Sequence, residues 1–261
     1  MKTGPKRILV TGGGKRVGRF LASRLAEAGH AVIVHANASA APAESLVEDL
    51  RKAGHKAWPA VFDLARADVA SLIDQSAKLA GGSIEGLVNS ASIFDHDTPQ
   101  KMDAAFFDKA MAVNLRAPAL LSQRFYEQAA SDTDNCIVNI LDQKLWNMNP
   151  DFYSYTLTKA GLASATDMMA RAFAPKVRVN AIAPGLLLPS HDQTEAEFDE
   201  VASHNALQRP IDLEDLASAL DFLMGNRALT AQVIHLDNGQ RLYSSARDVI
   251  FQRDSKAGGR G

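Results

Sequence analysis

Short apolar runs alternate with amphipathic stretches along the whole chain. Seven of the runs are rich in β-branched residues and are bounded by turn or cap residues, a pattern typical of buried strands. They cover residues 7–11, 31–35, 57–62, 86–89, 136–141, 177–182 and 232–236. Between them, apolar positions recur with the period of a helix at about 16–28, 42–53, 67–80, 103–130, 153–174 and 213–225. Buried strands separated by helices predict a parallel sheet that is covered on both faces.

This alternation indicates one α/β domain, a doubly wound Rossmann domain with a seven-stranded parallel sheet flanked by helices on both faces. The domain is predicted to span residues 1–245, without internal repeats. An insertion near 186–208 follows the sixth strand at the carboxyl edge of the sheet, where ligands bind in such folds, and this position indicates a lid. Residues 246–261 form a predicted C-terminal tail that is partly flexible.

Composition narrows the range of partners. The chain has 261 residues, a net charge of −2 and an isoelectric point near 6.4, which argues against a nucleic-acid or anionic membrane surface. The first apolar run is too short for a signal peptide or a membrane span, and the single Cys136 suits a reducing compartment, so we expect a cytoplasmic protein. Asp95, His96 and Asp97 fit a solvated loop better than a metal site. No other spacing of His, Cys and acidic residues resembles a zinc site, so no metal is expected.

A glycine-rich turn separates the first strand from the first helix. Backbone N–H groups and the positive end of the helix dipole at such a turn can hold a pyrophosphate. The residues that carry this prediction are Gly12, Lys15, Arg16, Val17 and Gly18. The alternative is a flexible turn that binds nothing and exposes a solvated arginine.

The end of the second strand indicates which dinucleotide binds. Sites that prefer NAD place an acid here to bind the ribose 2′-hydroxyl, whereas the segment from residue 35 to residue 39 contains no acid. Lys15 and Arg16 can instead bind a 2′-phosphate. His35, Asn37 and Ser39 are the further candidate donors. NADP(H) is therefore the predicted cofactor.

A second cluster of candidate residues lies near position 155. Tyr155 and Lys159 are one helical turn apart, and Asp142 lies thirteen residues before the tyrosine. A lysine at i+4 shares a helix face with the tyrosine, so its charge is expected to favour the phenolate and lower the tyrosine pKa. Chance produces this spacing often enough that it is weak evidence alone. Asp142 has a simpler alternative role as a cap of the turn after the fifth strand.

Five ordered motifs resemble the short-chain dehydrogenase/reductase family over residues 7–243. They are Thr11-Gly12 with Gly18, Leu87-Val88-Asn89-Ser90-Ala91, Asn114, Tyr155 with Lys159, and Val179-Asn180 with Pro184-Gly185. The resemblance implies that Tyr155 donates a proton, that Lys159 lowers its pKa and binds the nicotinamide ribose, and that Asn114 holds a water in the proton relay. The implied cofactor site adds Asp63, Leu64, Asn89, Ser90, Ala91, Pro184, Gly185, Tyr155 and Lys159 to the residues of the first turn and second strand.

Three departures from the usual family pattern resemble the branch that contains pteridine reductase and dihydromonapterin reductase. Arg16 replaces a glycine of the first turn, Ser92 replaces the glycine of the usual Asn-Asn-Ala-Gly sequence, and Asp142 replaces a serine. In that branch the residue matching Arg16 contacts cofactor phosphate, and the aspartate acts with the tyrosine. The implied substrate site comprises Ser92, Phe94, Asp142, Tyr155 and Leu188.

An aspartate at position 142 suits a substrate that receives a proton on a ring nitrogen, because a carboxylate would repel the alkoxide formed from a simple carbonyl. The expected reaction is hydride transfer from NADPH to a C=N bond of a dihydropterin of the dihydrobiopterin, dihydromonapterin or dihydrofolate type. Tyr155 and Asp142 would deliver the proton, and Phe94 would stack on the ring or simply pack in the core. The alternatives are a short-chain reductase or dehydrogenase of a ketone or alcohol and, more remotely, a non-catalytic NADP-binding regulatory protein.

The resemblance also implies a homotetramer formed through the two long helices, at 103–130 and 153–174. Leu120, Leu121, Leu162 and Met169 supply apolar faces for such contacts. Arg241 and Arg247 lie just past the last strand. One of them is a candidate to reach the pocket of a neighbouring subunit.

Overall fold

The apolar runs form the strands of one parallel sheet, as predicted. The computed structural model describes residues 4–189 and 193–251. The strands are β1 Arg7–Val10, β2 Ala31–Ala36, β3 Ala57–Val61, β4 Gly86–Asn89, β5 Asn135–Ile140, β6 Val177–Pro184 and β7 Val233–Leu236. Their order in the sheet is β3-β2-β1-β4-β5-β6-β7, and every neighbouring pair is parallel.

Helices connect the strands on both faces of the sheet. They are α1 Arg16–Glu27, α2 Ala41–Lys52, α3 Ser71–Ala80, α4 Ala104–Met111, α5 Ala117–Gln128, α6 Tyr153–Phe173, α7 Glu195–Ala202 and α8 Leu213–Gly225. The doubly wound Rossmann fold expected from the sequence is confirmed. Of the described helices, none combines the length and apolar character needed to cross a membrane.

Alternating strand residues fill two separate cores. Ile8 and Val10 of β1 point to the face covered by α1, α2 and α8, whereas Leu9 points to the face covered by α3, α5 and α6. Phe125 of α5 is fully buried on this second face. Because both faces are covered, the strands read as continuous apolar runs rather than as alternating ones.

The strand order places a crevice at the carboxyl ends of β1 and β4. The chain runs outward from β1 through β2 to β3 and then returns to place β4 on the other side of β1. The loops that follow β1 and β4 therefore diverge, and ligands bind in the opening between them in doubly wound sheets. The glycine-rich turn follows β1, and the segment beginning at Ser90 follows β4.

The long helix predicted at 103–130 is interrupted. α4 ends at Met111, residues 112–116 form a π-helical turn, and α5 begins at Ala117. Asn114 lies in the middle of this turn. A π-helical turn shifts the side chains relative to a regular α-helix and often marks a functional site.

The predicted lid near 186–208 contains a helix of its own, α7. It begins with a capping box in which the Thr194 hydroxyl accepts from Glu197 N–H while the Glu197 carboxylate accepts from Thr194 N–H. Residues 190–192 of the lid lie outside the described residues. The same holds for residues 252–261, most of the predicted tail.

Two of the apolar side chains expected at a subunit interface are instead buried within the protomer. Leu121 is fully buried and Leu162 is 1% exposed, so both belong to the cores of this chain. Leu120 and Met169 pack partly against the second core. Met168 of α6 is 62% exposed and is a better candidate for contact with another subunit.

Candidate functional site

A cleft of about 1600 Å³ runs along the carboxyl edge of the sheet. The glycine-rich turn and the loop after β2 line one end, whereas Asp142, Tyr155 and Phe94 line the other. Residues 185–188, which follow β6, also line this cleft, so that Gly185 and Leu188, predicted to bind cofactor and substrate, lie on its wall. The cleft is long enough to bring the two predicted clusters into one site.

The glycine-rich turn forms a backbone cradle that leaves no space for a side chain at two of its positions. Gly12 has a φ of 67°, and a Cβ there would lie 2.9 Å from Cα of Ala91. A Cβ at Gly18 would lie 2.3 Å from the carbonyl oxygen of Gly12. The first turn of α1 contains no acidic residue. This combination of close backbone approach and a helix N-terminus without acids fits a pyrophosphate.

Arg16 occupies a backbone conformation that favours glycine. Its φ is 49°, in the left-handed region, where the family usually has a glycine. The side chain is exposed at the cleft and donates from Nη2 to the carbonyl oxygen of Pro189 in the lid at 2.6 Å. Lys15 is exposed beside it. The turn therefore presents two cations next to the cradle, and one of them contacts the lid.

His35 does not serve as a phosphate donor in this structure. It is 1% exposed, its Nδ1 accepts from the Gly12 N–H at 3.1 Å, and its Nε2 lies 2.9 Å from the Phe62 carbonyl oxygen. These partners fix the tautomer with the proton on Nε2, and burial lowers the pKa of His35, so the ring is neutral. The role expected for His35 is corrected: it supports the glycine-rich turn from behind.

Five other residues predicted to bind the cofactor line the cleft. Asn37 and Ser39 are exposed after β2. Asp63 is exposed after β3 and accepts from Ala65 N–H at 2.9 Å, and Leu64 beside it is buried. Val17, in the first turn of α1, also borders the cleft.

The residues at the end of β4 and just after it have two roles: some line the cleft, and others hold the strands together. Ser90 and Ala91 line the cleft, and their N–H groups donate to the Thr11 hydroxyl at 3.0 and 3.1 Å. Asn89 is 2% exposed and donates to Oδ1 of Asn139 at 2.8 Å, so it holds the ends of β4 and β5 together. Asn89 was expected to contact the cofactor, but its side chain is buried between the two strands instead. Pro184 is likewise buried, at the end of β6, and only Gly185 after it reaches the cleft.

At the other end of the cleft, Asp142 and Tyr155 form a hydrogen-bonded pair. The Tyr155 hydroxyl donates to Oδ2 of Asp142 at 2.8 Å. Oδ1 of Asp142 accepts from Lys144 N–H at 2.8 Å and caps the short 3₁₀ turn Gln143–Trp146. The capping role considered for Asp142 is therefore present, and the other oxygen meets the tyrosine, the contact that the catalytic role requires.

The electrostatics of this pair differ from the expectation. Burial and the Asp142 carboxylate raise the pKa of Tyr155 well above its ordinary value. Burial raises the pKa of Asp142 as well, against the hydrogen bonds it accepts. Burial lowers the pKa of Lys159 to about 8. The prediction that Lys159 lowers the tyrosine pKa is wrong for this structure, so Tyr155 is a neutral phenol that keeps its proton.

Lys159 and Asn114 lie behind Tyr155. Lys159 is 3% exposed and donates from Nζ to the Ile140 carbonyl oxygen at 2.7 Å. Asn114 is 1% exposed; its Oδ1 accepts from Ile93 N–H at 2.9 Å and its Nδ2 donates to Oγ1 of Thr158 at 3.2 Å. Among the described residues, no hydrogen bond joins Asn114 to Lys159. Asn114 therefore ties the loop after β4 to α6 in this structure.

Aromatic rings form the wall of the substrate end. Phe94 is 38% exposed and stacks on Phe152 with 4.0 Å between the ring centroids, and it meets Tyr155 edge to face at 4.7 Å. Ser92 is exposed on the same loop and lines the cleft. A flat ring placed beside Tyr155 would therefore meet aromatic side chains and the Asp142 carboxylate together.

Asp97 is buried, contrary to the solvated loop expected for residues 95–97. It is 6% exposed and accepts from Ser154 N–H at 3.0 Å and from the Ser154 hydroxyl. Phe152 occupies the N-cap position of α6 and has no side chain able to cap it. Asp97 thus caps α6 from another loop and fixes the first turn of the helix that carries Tyr155.

Comparison with known proteins decides the family. The family model for short chain dehydrogenases matches residues 6–200. The chain belongs to this family. It is therefore an oxidoreductase, and the resemblance drawn from the five motifs is confirmed.

Relatives within the family include reductases of two kinds of substrate. The chain is 30% identical to the 3-oxoacyl-[acyl-carrier-protein] reductase FabG of Staphylococcus aureus, over 90% of this chain and 97% of that one. It is 27% identical to the dihydromonapterin reductase of Klebsiella pneumoniae, over 91% and 98% of the two chains. The crystal structure of FolM, alternative dihydrofolate reductase 1 from Brucella canis, in complex with NADP, is 38% identical, with a TM-score of 0.88 over 93% and 96% of the chains.

Three charged residues of the site were not found from the sequence. Lys144 and Asp248 line the cleft and are paired with each other at 2.7 Å, and Asp151 pairs with Arg247 at 2.8 Å. The expectation that Arg241 or Arg247 reaches another subunit is not supported, because Arg247 binds Asp151 and Arg241 binds Asp237 of the same chain. In the sequence, this cluster was indicated by two adjacent residues of opposite charge, Arg247 and Asp248, in a segment expected to be a tail.

Proposed function

We propose that this chain is an NADPH-dependent reductase that transfers hydride to a C=N bond of a dihydropterin. The observation that carries the proposal is the hydrogen bond of 2.8 Å between Tyr155 and Asp142. The family usually has a serine at position 142, where a hydroxyl can stabilise a developing alkoxide. A buried acid with a raised pKa suits instead a substrate that gains a proton on nitrogen.

The phosphate end supports NADP(H) as the cofactor. At Gly12 and Gly18 a Cβ would meet backbone atoms of Ala91 and Gly12, so the two glycines allow the close backbone approach that forms the cradle at the cleft. Lys15 and Arg16 are exposed beside it, and the neighbouring loop after β2 carries Asn37 and no acid. These cations and donors would hold a 2′-phosphate. FolM, solved with NADP, supports the same assignment.

The bound cofactor would supply the hydride, and the residues of the chain would supply the proton and the orientation. Tyr155 holds its proton at neutral pH because burial and Asp142 raise its pKa. Once Tyr155 has given this proton to the substrate, the Asp142 carboxylate can take up a proton from solvent and pass it to Tyr155 across the existing hydrogen bond. Phe94, which is exposed at the cleft and is backed by the buried Phe152, would hold the flat ring against this pair.

The two kinds of relative favour different substrates. FolM and the dihydromonapterin reductase support a pterin, whereas FabG acts on a 3-oxoacyl group and favours a ketone. The acid at position 142 weighs against the ketone, since it would repel an alkoxide formed beside it. A cytoplasmic homotetramer remains a prediction that accompanies this function.

Replacing Asp142 with serine tests the assignment of substrate. We expect kcat/KM for dihydrobiopterin and dihydromonapterin to fall about 10²-fold or more, because the variant lacks the acid that resupplies the proton Tyr155 gives to the ring nitrogen. The measurement is the rate of NADPH oxidation with these pterins, dihydrofolate and simple ketones. Asp95→Ser, an exposed acid at the rim of the same cleft, is the matched control. Unchanged pterin reduction in Asp142→Ser, or a wild type that reduces only ketones, would contradict the proposal.

Replacing Arg16 with glycine tests the cofactor. Glycine accommodates the φ of 49° and removes the guanidinium. We expect KM for NADPH to rise about 10- to 100-fold, since a hydrogen-bonded charge pair with the 2′-phosphate is lost, while KM for NADH stays nearly constant. Arg171→Ala, which removes an exposed arginine of α6, provides the control. Equal effects on KM for the two cofactors would mean that Arg16 does not bind the 2′-phosphate.

A further inference from the structure

Residues 243–251, here called the C-terminal strap, cross the substrate end of the cleft. Tyr243 and the segment 247–251 line the same cleft as Asp142 and Phe94. The strap is held to the turn after β5 at its start, where the Asn147 side chain donates to the Tyr243 carbonyl oxygen. It ends in the 3₁₀ turn Val249–Phe251. Residues 247–251, which were expected to belong to a tail, therefore form part of one wall of the substrate end.

The central contact of the strap is a buried ion pair. Lys144 Nζ lies 2.7 Å from Oδ2 of Asp248 and donates to Oδ1 of Asn149 at 2.7 Å. The lysine side chain is 5% exposed and the aspartate side chain is 16% exposed. Lys144 is also 5.4 Å from the centre of the Phe152 ring and follows Asp142 by two residues. A cation thus lies at the substrate end, next to the catalytic pair, and a carboxylate of the strap covers it.

A second ion pair fixes the strap independently of the first. Arg247 Nε lies 2.8 Å from Oδ2 of Asp151, and the same oxygen accepts from Asp248 N–H at 2.7 Å. Burial alone would raise the pKa of Asp151, but the hydrogen bonds from Arg247, Asp248 and His96 lower it to about 2. The Phe251 ring packs on His96 with 4.9 Å between centroids. The strap would keep these contacts if the contact between Lys144 and Asp248 were broken.

The charges at this end of the cleft are unfavourable for an anionic ligand. Lys109 is exposed elsewhere on the wall of the same cleft. Asp95, Asp142, Asp151 and Asp248 are the acids around the strap, and Lys144 and Arg247 are the cations that form its ion pairs. Each of these two cations is already paired with an acid. A ligand carboxylate can reach Lys144, the cation two residues from Asp142, only by displacing Asp248, which the terminal segment carries.

We propose that Lys144 is a cationic subsite for a carboxylate on the side chain of the substrate, and that Asp248 of the strap occupies this subsite when the side chain is uncharged. The proposal rests on the proposed pterin reduction. Dihydropterins with short uncharged side chains leave the ion pair intact. Dihydrofolate, whose glutamate tail carries carboxylates, must compete with Asp248 for Lys144. Asp248 is thus a residue that determines specificity without touching the reacting atoms.

Replacing Asp248 with asparagine tests the subsite. We expect the ratio of kcat/KM for dihydrofolate to that for dihydrobiopterin to rise about tenfold, because Lys144 becomes available to the tail. Lys144→Met breaks the same ion pair but removes the cation, so no such rise is expected. Asp248→Glu retains the competing charge and is the control. The double variant Asp248→Asn/Lys144→Met should lose the gain, which shows that the gain depends on the lysine.

Binding of folic acid and biopterin, measured by calorimetry with NADP⁺ present, separates the subsite from the catalytic proposal. A gain in folic acid affinity in Asp248→Asn supports the subsite even if turnover is absent, whereas absent turnover of every dihydropterin counts against the proposed function alone. Equal gains in Asp248→Asn and Lys144→Met would mean that the strap is only a steric barrier, and the subsite proposal would fail. Unchanged ratios and affinities in all variants would also overturn it. Thermal unfolding checks that each variant is folded.

Discussion

Replacing Tyr155 with phenylalanine is expected to lower kcat/KM for the dihydropterin substrate by about 10²–10⁴-fold, the range typical for loss of a general acid. The phenol is the group whose oxygen lies 2.8 Å from Asp142 at the wall of the cleft, and it keeps its proton because burial and the carboxylate raise its pKa. Phenylalanine preserves the ring that Phe94 contacts edge to face at 4.7 Å. The substrate pocket should therefore keep its shape while the proton route is lost.

The measurement is steady-state kinetics together with NADPH affinity. We expect NADPH affinity to change little, since the cradle at Gly12 and Gly18 lies at the other end of the cleft. Tyr126→Phe is a matched control, because Tyr126 stacks on Phe173 outside the cleft and its hydroxyl has no part in the proposed chemistry. A Tyr155→Phe variant that retains more than about a tenth of the wild-type rate would show that the proton reaches the substrate by another route, with Asp142 as the first donor to consider.

The fold was predictable because its signal is local and repeated. Each strand is a continuous apolar run, since both faces of the sheet are covered, and the predicted strands agree with the observed ones to within one or two residues. The π-helical turn around Asn114 was not predictable. It changes the helical period over only five residues, which is too short a segment for the hydrophobic pattern to register.

Site residues were predictable where the residue type alone determines the role. They were not predictable where the role depends on a contact with a residue distant in the sequence. Gly12 and Gly18 were predicted from the turn alone, and the structure shows why no side chain fits there. His35 was assigned as a donor because it ends the predicted second strand, but its ring nitrogens meet Gly12 and Phe62, which lie on other segments. Lys144 and Asp248 are 104 residues apart, so only the path of the folded chain brings them together.

Asp142 illustrates both cases. The sequence placed an acid thirteen residues before the tyrosine, and the structure brings the two side chains to 2.8 Å. The direction of the pKa shifts did not follow from that spacing. Burial raises the pKa of Asp142 and Tyr155 and lowers that of Lys159, and the extent of burial depends on the loops that cover the site.

Replacing Gly18 with alanine is expected to abolish useful cofactor binding, with a rise in the Kd for NADPH of about 10²-fold or more, because a shift of about 1 Å in a binding element can cost that much. The new Cβ would lie 2.3 Å from the carbonyl oxygen of Gly12 and 2.8 Å from its carbonyl carbon. These are backbone atoms, so no side-chain rotation relieves the clash. Either α1 or the turn must move, and the N–H groups of the cradle move with it.

Measurements of stability and of NADPH binding should show whether the loss of binding comes from unfolding or from the altered turn. We expect the free energy of unfolding to fall by about 1–3 kcal/mol, as for other overpacked sites. Gly225→Ala is the control, because a Cβ at Gly225 meets no heavy atom within 4 Å, and Gly225 ends α8 next to Lys6, which precedes β1, whereas the glycine-rich turn follows β1. Titration of the folded variant with NADPH, monitored by calorimetry, gives the Kd directly. If Gly18→Ala bound NADPH with nearly wild-type affinity, the glycine-rich turn would not be the pyrophosphate site, and the assignment of Arg16 to the 2′-phosphate would fall with it.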